Sequence, residues 1–377
     1  MMRLSQTTNL SGTIQVHTST KQLLRSIQPR QIAVICHENI DEMAANGFIE
    51  AKVKAVINAA KTMDGSYPSV GAKRLLDAAI PIFDIDPLAF HCFQSGNTIT
   101  ITEDAIQVED NQITCQPFTF ADYDHLYKQA MRNMGSQLNR FIDNTLTYAS
   151  QEKELVIDRL KTPPLRTRLG NQHVVVVVRG SGYKEDLSII RAYIQDYRPV
   201  LIGVDGGADA LLEHGFMPNL IIGDMDSVSD HALRCGAELL VHAYPDGRAP
   251  GLDRLEKLHV PSRKICAKGT SEDIAMLLAY EQGAELIVTL GTHTHMIDFL
   301  EKGRKGMAST LLVRMKVGSK LVDAKGVSKL YQRPVRFRSM WHVLAAALFP
   351  LVMLFVIHPG FRQFLDTIRI YFQISFK

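Results

Sequence analysis

The sequence predicts an α/β fold: a doubly wound parallel sheet, a smaller N-terminal α/β domain, a long linking helix and a C-terminal transmembrane helix. Three observations predict it. Between residues 174 and 326, apolar runs recur 18 to 35 residues apart. The segments between them repeat apolar residues at helical spacing. The runs themselves are nearly unbroken, as expected of strands covered by helices on both faces.

In chain order the runs are VVVVV at 174, PVLIGV at 199, NLIIG at 219, AELLVHAY at 237, RKICAKG at 263, AELIVTLG at 284 and SKLVDAKG at 319. One intervening helix places Leu187, Ile190 and Ile194 on one face; another does so with Ile274, Leu277 and Leu278. This domain spans 170–335.

Upstream, 121–163 reads as one long linking helix. Leu126, Ala130, Met134, Leu138, Ile142, Leu146, Ala149, Leu155 and Leu160 form its apolar stripe, and Pro163-Pro164 ends it. A stripe of that length is expected to pair two copies of the chain as a dimer. Residues 1–120 form the smaller unit. QIAVIC and VKAVINAA are strands with an amphipathic segment between them, AIPIFDI follows, and GNTITITEDAIQVEDNQI alternates as a β-hairpin does. This layout is loosely similar to swivelling phosphohistidine domains, but His37 after a strand is read as structural.

From Met340 to Ile357 the chain has eighteen residues with His342 as the only strongly polar one. Such a helix rises about 27 Å, enough for a bilayer core, and 339–358 is therefore expected to span a membrane. Lys320, Lys325, Lys329, Arg333, Arg336 and Arg338 precede it, whereas only Arg362, Arg369 and Lys377 follow. That asymmetry places the N-terminal bulk in the cytoplasm. Residues 359–377 form a short amphipathic tail.

Composition narrows the function. A net charge of +3, with no aromatic-studded basic face, argues against nucleic acid as a partner. The five cysteines form no C-x-x-C pair, so neither a zinc site nor a disulfide frame is expected.

The chemistry lies at the strand ends. LIGVDGGADALLEHG puts Asp205 after one strand, with Gly206 and Gly207 opening the next helix. NLIIGDMDSVS puts Asp224, Asp226 and Ser227 after the following strand. Neighbouring strands bring these carboxylates together at the sheet edge where open α/β sheets bind ligands. Crowded carboxylates call for a cation, and hard oxygen ligands suit Mg²⁺ carrying substrate phosphates. Arg179, with two glycines after the first strand, faces the same ligand. Lys302, Arg304, Lys305, Asp246 and Arg248 lie in loops that could meet an anion; His293 and His295 lack an evident third metal ligand.

GVDGGADALLEHGFMPNLIIGDMDSVS resembles the nucleotide-binding half of thiamin pyrophosphokinases, with Asp205, Asp224, Asp226 and Ser227 on their motif and Asn219 in place of its first Asp. The resemblance implies Mg²⁺, with ATP or another nucleotide as ligand, and Asp224 and Asp226 as metal ligands. Two departures stand out. Where the kinases carry D-x-T-D, this chain has KGTSED: Lys268 and Ser271 take the acidic places, and Thr270 or Ser271 reads as a helix cap followed by Glu272 and Asp273. The kinases' β-sandwich has no room here. Longer blocks, among them FLEKGRKGMASTLLVRMKVGSKLVDAKGVSKLY, resemble SteA-type cytokinetic ring proteins over nearly the whole chain. That resemblance implies a bacterial division factor with a membrane partner. The expected ligand is a nucleotide or phosphorylated small molecule at Asp205, Gly206, Gly207, Asp224, Asp226, Ser227, Arg179, Thr270 and Ser271. Catalytic residues stay unassigned, and an active pyrophosphoryl transferase is the alternative.

Overall fold

The computed structural model describes residues 10–109, 111–293, 295–325, 346–350, 352–353 and 358–375. Seven strands close into a barrel: β1 (Leu10–Val16), β2 (Ile32–Ile35), β3 (Ala55–Asn58), β4 (Ile82–Ile85), β5 (Thr98–Ile101), β6 (Ala105–Val108) and β7 (Asn111–Phe118). Their order is β1-β2-β3-β4-β7-β6-β5, and β5 pairs back to β1. β1 to β4 run parallel, while β7, β6 and β5 return antiparallel.

The small N-terminal unit is thus a closed barrel. Closure depends on β1 and β7, which carry little strand signal. β1 is only partly buried along most of its length, and β7 is mostly exposed and contains Pro117. β2 and β3, by contrast, are buried throughout. Ile14, Val34, Ile57, Ile99 and Ile106 fill the interior; Ile35 and Val56 face outward under Phe48 and Leu75 of the covering helices Glu42–Glu50 and Gly71–Asp77.

The helix Phe120–Glu152 leaves the barrel behind a capping box formed by Thr119 and Asp122. It packs against Gly71–Asp77 of the barrel and against Ala308–Val317 beyond it. Phe141 on this helix meets Phe299 with ring centroids 6.2 Å apart.

The second sheet has seven parallel strands: β8 (His173–Val178), β9 (Val200–Val204), β10 (Leu220–Gly223), β11 (Glu238–Ala243), β12 (Arg263–Cys266), β13 (Leu286–Leu290) and β14 (Leu321–Asp323). Their order is β12-β11-β10-β9-β8-β13-β14, so the winding direction switches between β8 and β13. Each of the seven apolar runs supplies one strand. One face packs Val174, Val176, Ile202 and Ile222 under Ile274, Leu277 and Leu278 of the helix Ser271–Glu281. The other packs Val175, Val177 and Leu201 under Leu187 and Leu211. Barrel, long helix and sheet lie in one compact unit, Met1–Val327; Ser328–Lys377 form a second.

The expected transmembrane helix requires correction. Among the described residues no helix is long and apolar enough to cross a membrane. Of the 340–357 run, only 346–350 and 352–353 are described as helical. Pro350 lies there and lacks the backbone N–H that a continuing helix uses; the rest of the run lies outside the described residues. The helix Pro359–Ser375 is 17 residues long and carries Arg362, Asp366 and Arg369. The single-pass placement therefore has no support in the fold.

Candidate functional site at the carboxyl edge of the parallel sheet

Asp205 directly follows β9 and Asp224 directly follows β10; these strands are hydrogen-bonded neighbours. Asp205 N–H donates to the Ile222 carbonyl at 3.0 Å, which fixes its height at the sheet edge. Both acid turns use left-handed backbone at non-glycine residues, with φ of 47° at Asp205 and 67° at Met225. Such conformations cost on the order of 1–3 kcal/mol each and cluster at functional sites.

The Asp205 carboxyl lies beside that of Asp224. Burial, then the Asp224 charge and the hydrogen bond between them, push Asp205 up to about 7, against the pull of Lys21 and of the Met225 N–H. Its Oδ1 is buried with no partner among the described residues. Gly223 makes this position possible, because a methyl group on its Cα would overlap the Asp205 carboxylate. Gly207 serves the next element in the same way: a Cβ there would overlap the Val177 carbonyl, so the helix Gly207–Glu213 starts directly on β8.

Asp224 and Asp226 are exposed. Asp226 N–H donates to Asp224 Oδ1 at 3.0 Å. Two arginines hold this turn from outside: Arg254 Nη1 donates to the Met225 carbonyl at 2.6 Å, and Arg25 Nη2 to the Asp226 carbonyl at 2.9 Å. The Ser227 carbonyl comes within 3.8 Å of where a Gly206 Cβ would sit, so the two acid turns abut.

Other expected site residues are already engaged. Arg179 pairs with Glu213 at 2.6 Å and donates through Nε to Tyr183 Oη at 3.0 Å. Thr270 caps the helix Ser271–Glu281 in a capping box with Asp273, using both its hydroxyl and its N–H. Ser271 Oγ contacts His242 Nδ1 at 3.1 Å. Burial holds His242 below the ordinary imidazole range, against the Ala267 carbonyl and the nearby Asp224 charge. Lys268 is exposed. Asp246 and Arg248 pair with each other at 2.7 Å.

Glu272 and Asp273 are both buried and engaged by other partners. Asp273 is fully buried and accepts from Ser309 and Thr310 at 2.8 and 3.1 Å; burial and the Glu272 charge raise its pKa. Burial opposes ionisation of Glu272, yet its bond to His293 Nδ1 at 3.1 Å and the Lys302 charge hold it below the usual carboxylate range. Lys302 Nζ reaches the same nitrogen at 3.2 Å. Burial lowers the Lys302 pKa, as Arg304 does, while Glu272 and Asp205 oppose the shift. His295 caps the helix Met296–Leu300, so the two histidines form no metal pair. His37 contacts Thr20 Oγ1 at 2.9 Å and Asp41 at 3.5 Å within the barrel.

Among the described residues no group of three or more His, Cys, Asp or Glu side chains is arranged to cage a metal ion. The site fits Mg²⁺ in its other mode, in which one or two carboxylates hold an ion that arrives on substrate phosphates. The unpartnered Asp205 oxygen and the Asp224 carboxyl beside it are the donors that such an ion would satisfy. Sequence reasoning missed Lys21, Arg25, Arg254 and His242. Arg25 and Asp226 lie 201 positions apart, and no local pattern signals such a contact.

Residues 325–374 match the SteA-like C-terminal domain. In that stretch the chain is similar to SteA-like proteins. Another part of the chain is similar to the 6-hydroxymethyl-7,8-dihydropterin pyrophosphokinase of Methanocaldococcus jannaschii, 21% identical over 150 residues. That alignment takes in 38% of this chain and spans 58% of the relative's length. Two solved structures are also similar. The thiamine pyrophosphokinase from Bacillus subtilis is 22% identical, with 40% of this chain and 59% of that one covered and a TM-score of 0.26. The thiamin pyrophosphokinase from Geobacillus thermodenitrificans is 24% identical, with the same coverages and a TM-score of 0.25.

Proposed function

We propose that this chain is a SteA-type bacterial cell-division factor whose pyrophosphokinase-like sheet binds a nucleotide or phosphorylated small molecule through Mg²⁺, without efficient turnover. The observation that carries the binding half is the Asp205–Asp224 pair, two carboxyls side by side with one oxygen buried and unpartnered. Such an arrangement is unfavourable when empty and is relieved by a cation. Against turnover stands KGTSED: Thr270 and Asp273 are spent on a helix cap and Glu272 on His293. Phosphoryl transfer depends on positioned charge, and two carboxylates of the kinase pattern are missing from the site.

Calorimetry of the full chain against ATP, GTP and thiamin, with and without Mg²⁺, tests the reading. Heat with a nucleotide only in the presence of Mg²⁺ supports it. The second reading, an ATP-dependent diphosphotransferase, is favoured by the name of the pterin relative. Brisk release of AMP from ATP with an added acceptor would select it. The division role rests on the SteA-like C-terminal domain; a fluorescent fusion spread evenly through dividing cells would remove it.

We also propose that the long helix pairs two copies of the chain. Leu138, Ile142 and Leu146 on it are 42%, 43% and 59% exposed. Replacing Leu138 and Ile142 with lysine is expected to convert dimers to monomers in light scattering, with the melting temperature little changed. A wild type that stays monomeric at high concentration would count against the pairing.

A further inference from the structure

The barrel meets the sheet at the edge that carries the acids. Arg25, on the barrel helix Thr20–Ser26, donates to the Asp226 carbonyl at 2.9 Å. Lys21 lies four residues earlier on that helix and so shares its face with Arg25. Its charge reaches the Asp205 carboxyl. Lys21 is exposed, and among the described residues it has no ion-pair partner. Two more contacts fix the approach: Ser181 Oγ to Glu42 Oε2 at 3.0 Å, and Lys184 Nζ to Glu50 Oε1 at 2.6 Å. The barrel residues follow β1 and β2, and their partners follow β8 and β10. The carboxyl ends of the barrel's parallel strands therefore face the carboxyl ends of the sheet.

We propose that the barrel completes the ligand site: Lys21 takes the terminal phosphate of a di- or triphosphate whose Mg²⁺ lies on Asp224, and Arg25 holds the acid turn in position to receive it. This rests on the binding reading above and names its ligand class, a polyphosphate gripped from both walls. An unpaired ammonium beside crowded carboxylates has two possible roles. It can balance their charge, or it can wait for a phosphate. A balancing lysine affects every ligand of the site alike. A phosphate-binding lysine affects only ligands that carry the distal phosphate.

The test uses the full chain, with MgATP and AMP as probes. Wild type is expected to prefer MgATP. Lys21→Met should weaken MgATP binding about tenfold, the scale of one charge-assisted hydrogen bond, and leave AMP binding unchanged. Lys21→Arg, which keeps the charge, should restore most of the loss. Arg25→Met should weaken both probes, since it loosens the acid turn itself. Because Lys21 is exposed, melting curves are expected to match wild type and show that the variants fold. If MgATP affinity is the same in Lys21→Met and wild type while Asp224→Asn has lost binding, this inference fails and the binding reading stands. Equal losses for MgATP and AMP would reduce Lys21 to charge balance and overturn it too. A wild type that binds no nucleotide would overturn both.

Discussion

Asp224→Asn is expected to abolish Mg²⁺-dependent nucleotide binding while leaving the melting temperature equal or higher. The substitution keeps the shape of the turn, because an amide oxygen can still accept from Asp226 N–H as Asp224 Oδ1 does at 3.0 Å. What it removes is charge. Asp224 is exposed at the sheet edge, where an ion carried by phosphates would arrive. A neutral amide is a much weaker ligand for a hard divalent cation than a carboxylate. The same charge weighs on Asp205: after burial, it is the largest influence pushing that carboxyl to about 7. Relieving the repulsion stabilises the fold, and each kcal/mol corresponds to roughly 2–4 °C for a unit of this size class. Calorimetry and thermal melting on the same samples check both halves. Unchanged nucleotide affinity would mean that these aspartates hold something else, and a large drop in melting temperature would mean that they hold the fold.

The parallel sheet was legible because its strands are buried on both faces, which leaves unbroken runs such as Val174–Val178 in the sequence. The acid turns were legible for a related reason: an apolar run that stops at a carboxylate marks a strand end. Barrel closure was not, since β1 pairs with both β2 and β5 through backbone groups, and hydrogen bonds of that kind leave little trace in side-chain pattern. The membrane span was misread from hydropathy alone. A run of apolar residues fixes what a segment avoids, not whether it forms one helix. A cap at Thr270 or Ser271 could be read from residue type and the acids that follow, a local rule, and the fold places it at Thr270. Lys21 and Arg25 could not be placed, because their positions depend on how the barrel and the sheet meet.

Glu301→Gln is expected to stabilise the chain increasingly as pH rises from about 5 to 8. Glu301 sits where the sheet layer meets the barrel. Burial, then the charges of Asp41, Asp298 and Glu42, push its carboxyl from 4.5 up to about 8, with Lys325 opposing. Tyr67 is raised at the same junction, first by burial and then by Glu301, Asp41, Asp64 and Glu38. In the unfolded chain Glu301 releases its proton near 4.5, whereas in the folded chain it keeps that proton to about 8. Between those values the folded state binds more protons, so raising the pH lowers stability. Below the window the group contributes nothing; above it the cost is complete. Glutamine cannot ionise, so the variant and wild type should melt together near pH 4. They should separate through neutral pH and hold a constant gap of several degrees above about pH 9. The difference curve cancels groups common to both proteins, Asp205 included, since its own rise would otherwise add a slope of the same sign. A gap that is flat with pH, or that closes as pH rises, would sink the assignment. The ionised Glu301 also faces Asp41 and Glu42, the latter bonded to Ser181 across the junction. Its deprotonation therefore loosens the contact that brings Lys21 and Arg25 to the acid turns. In wild type, MgATP affinity should accordingly fall above about pH 8, and in Glu301→Gln it should persist to higher pH.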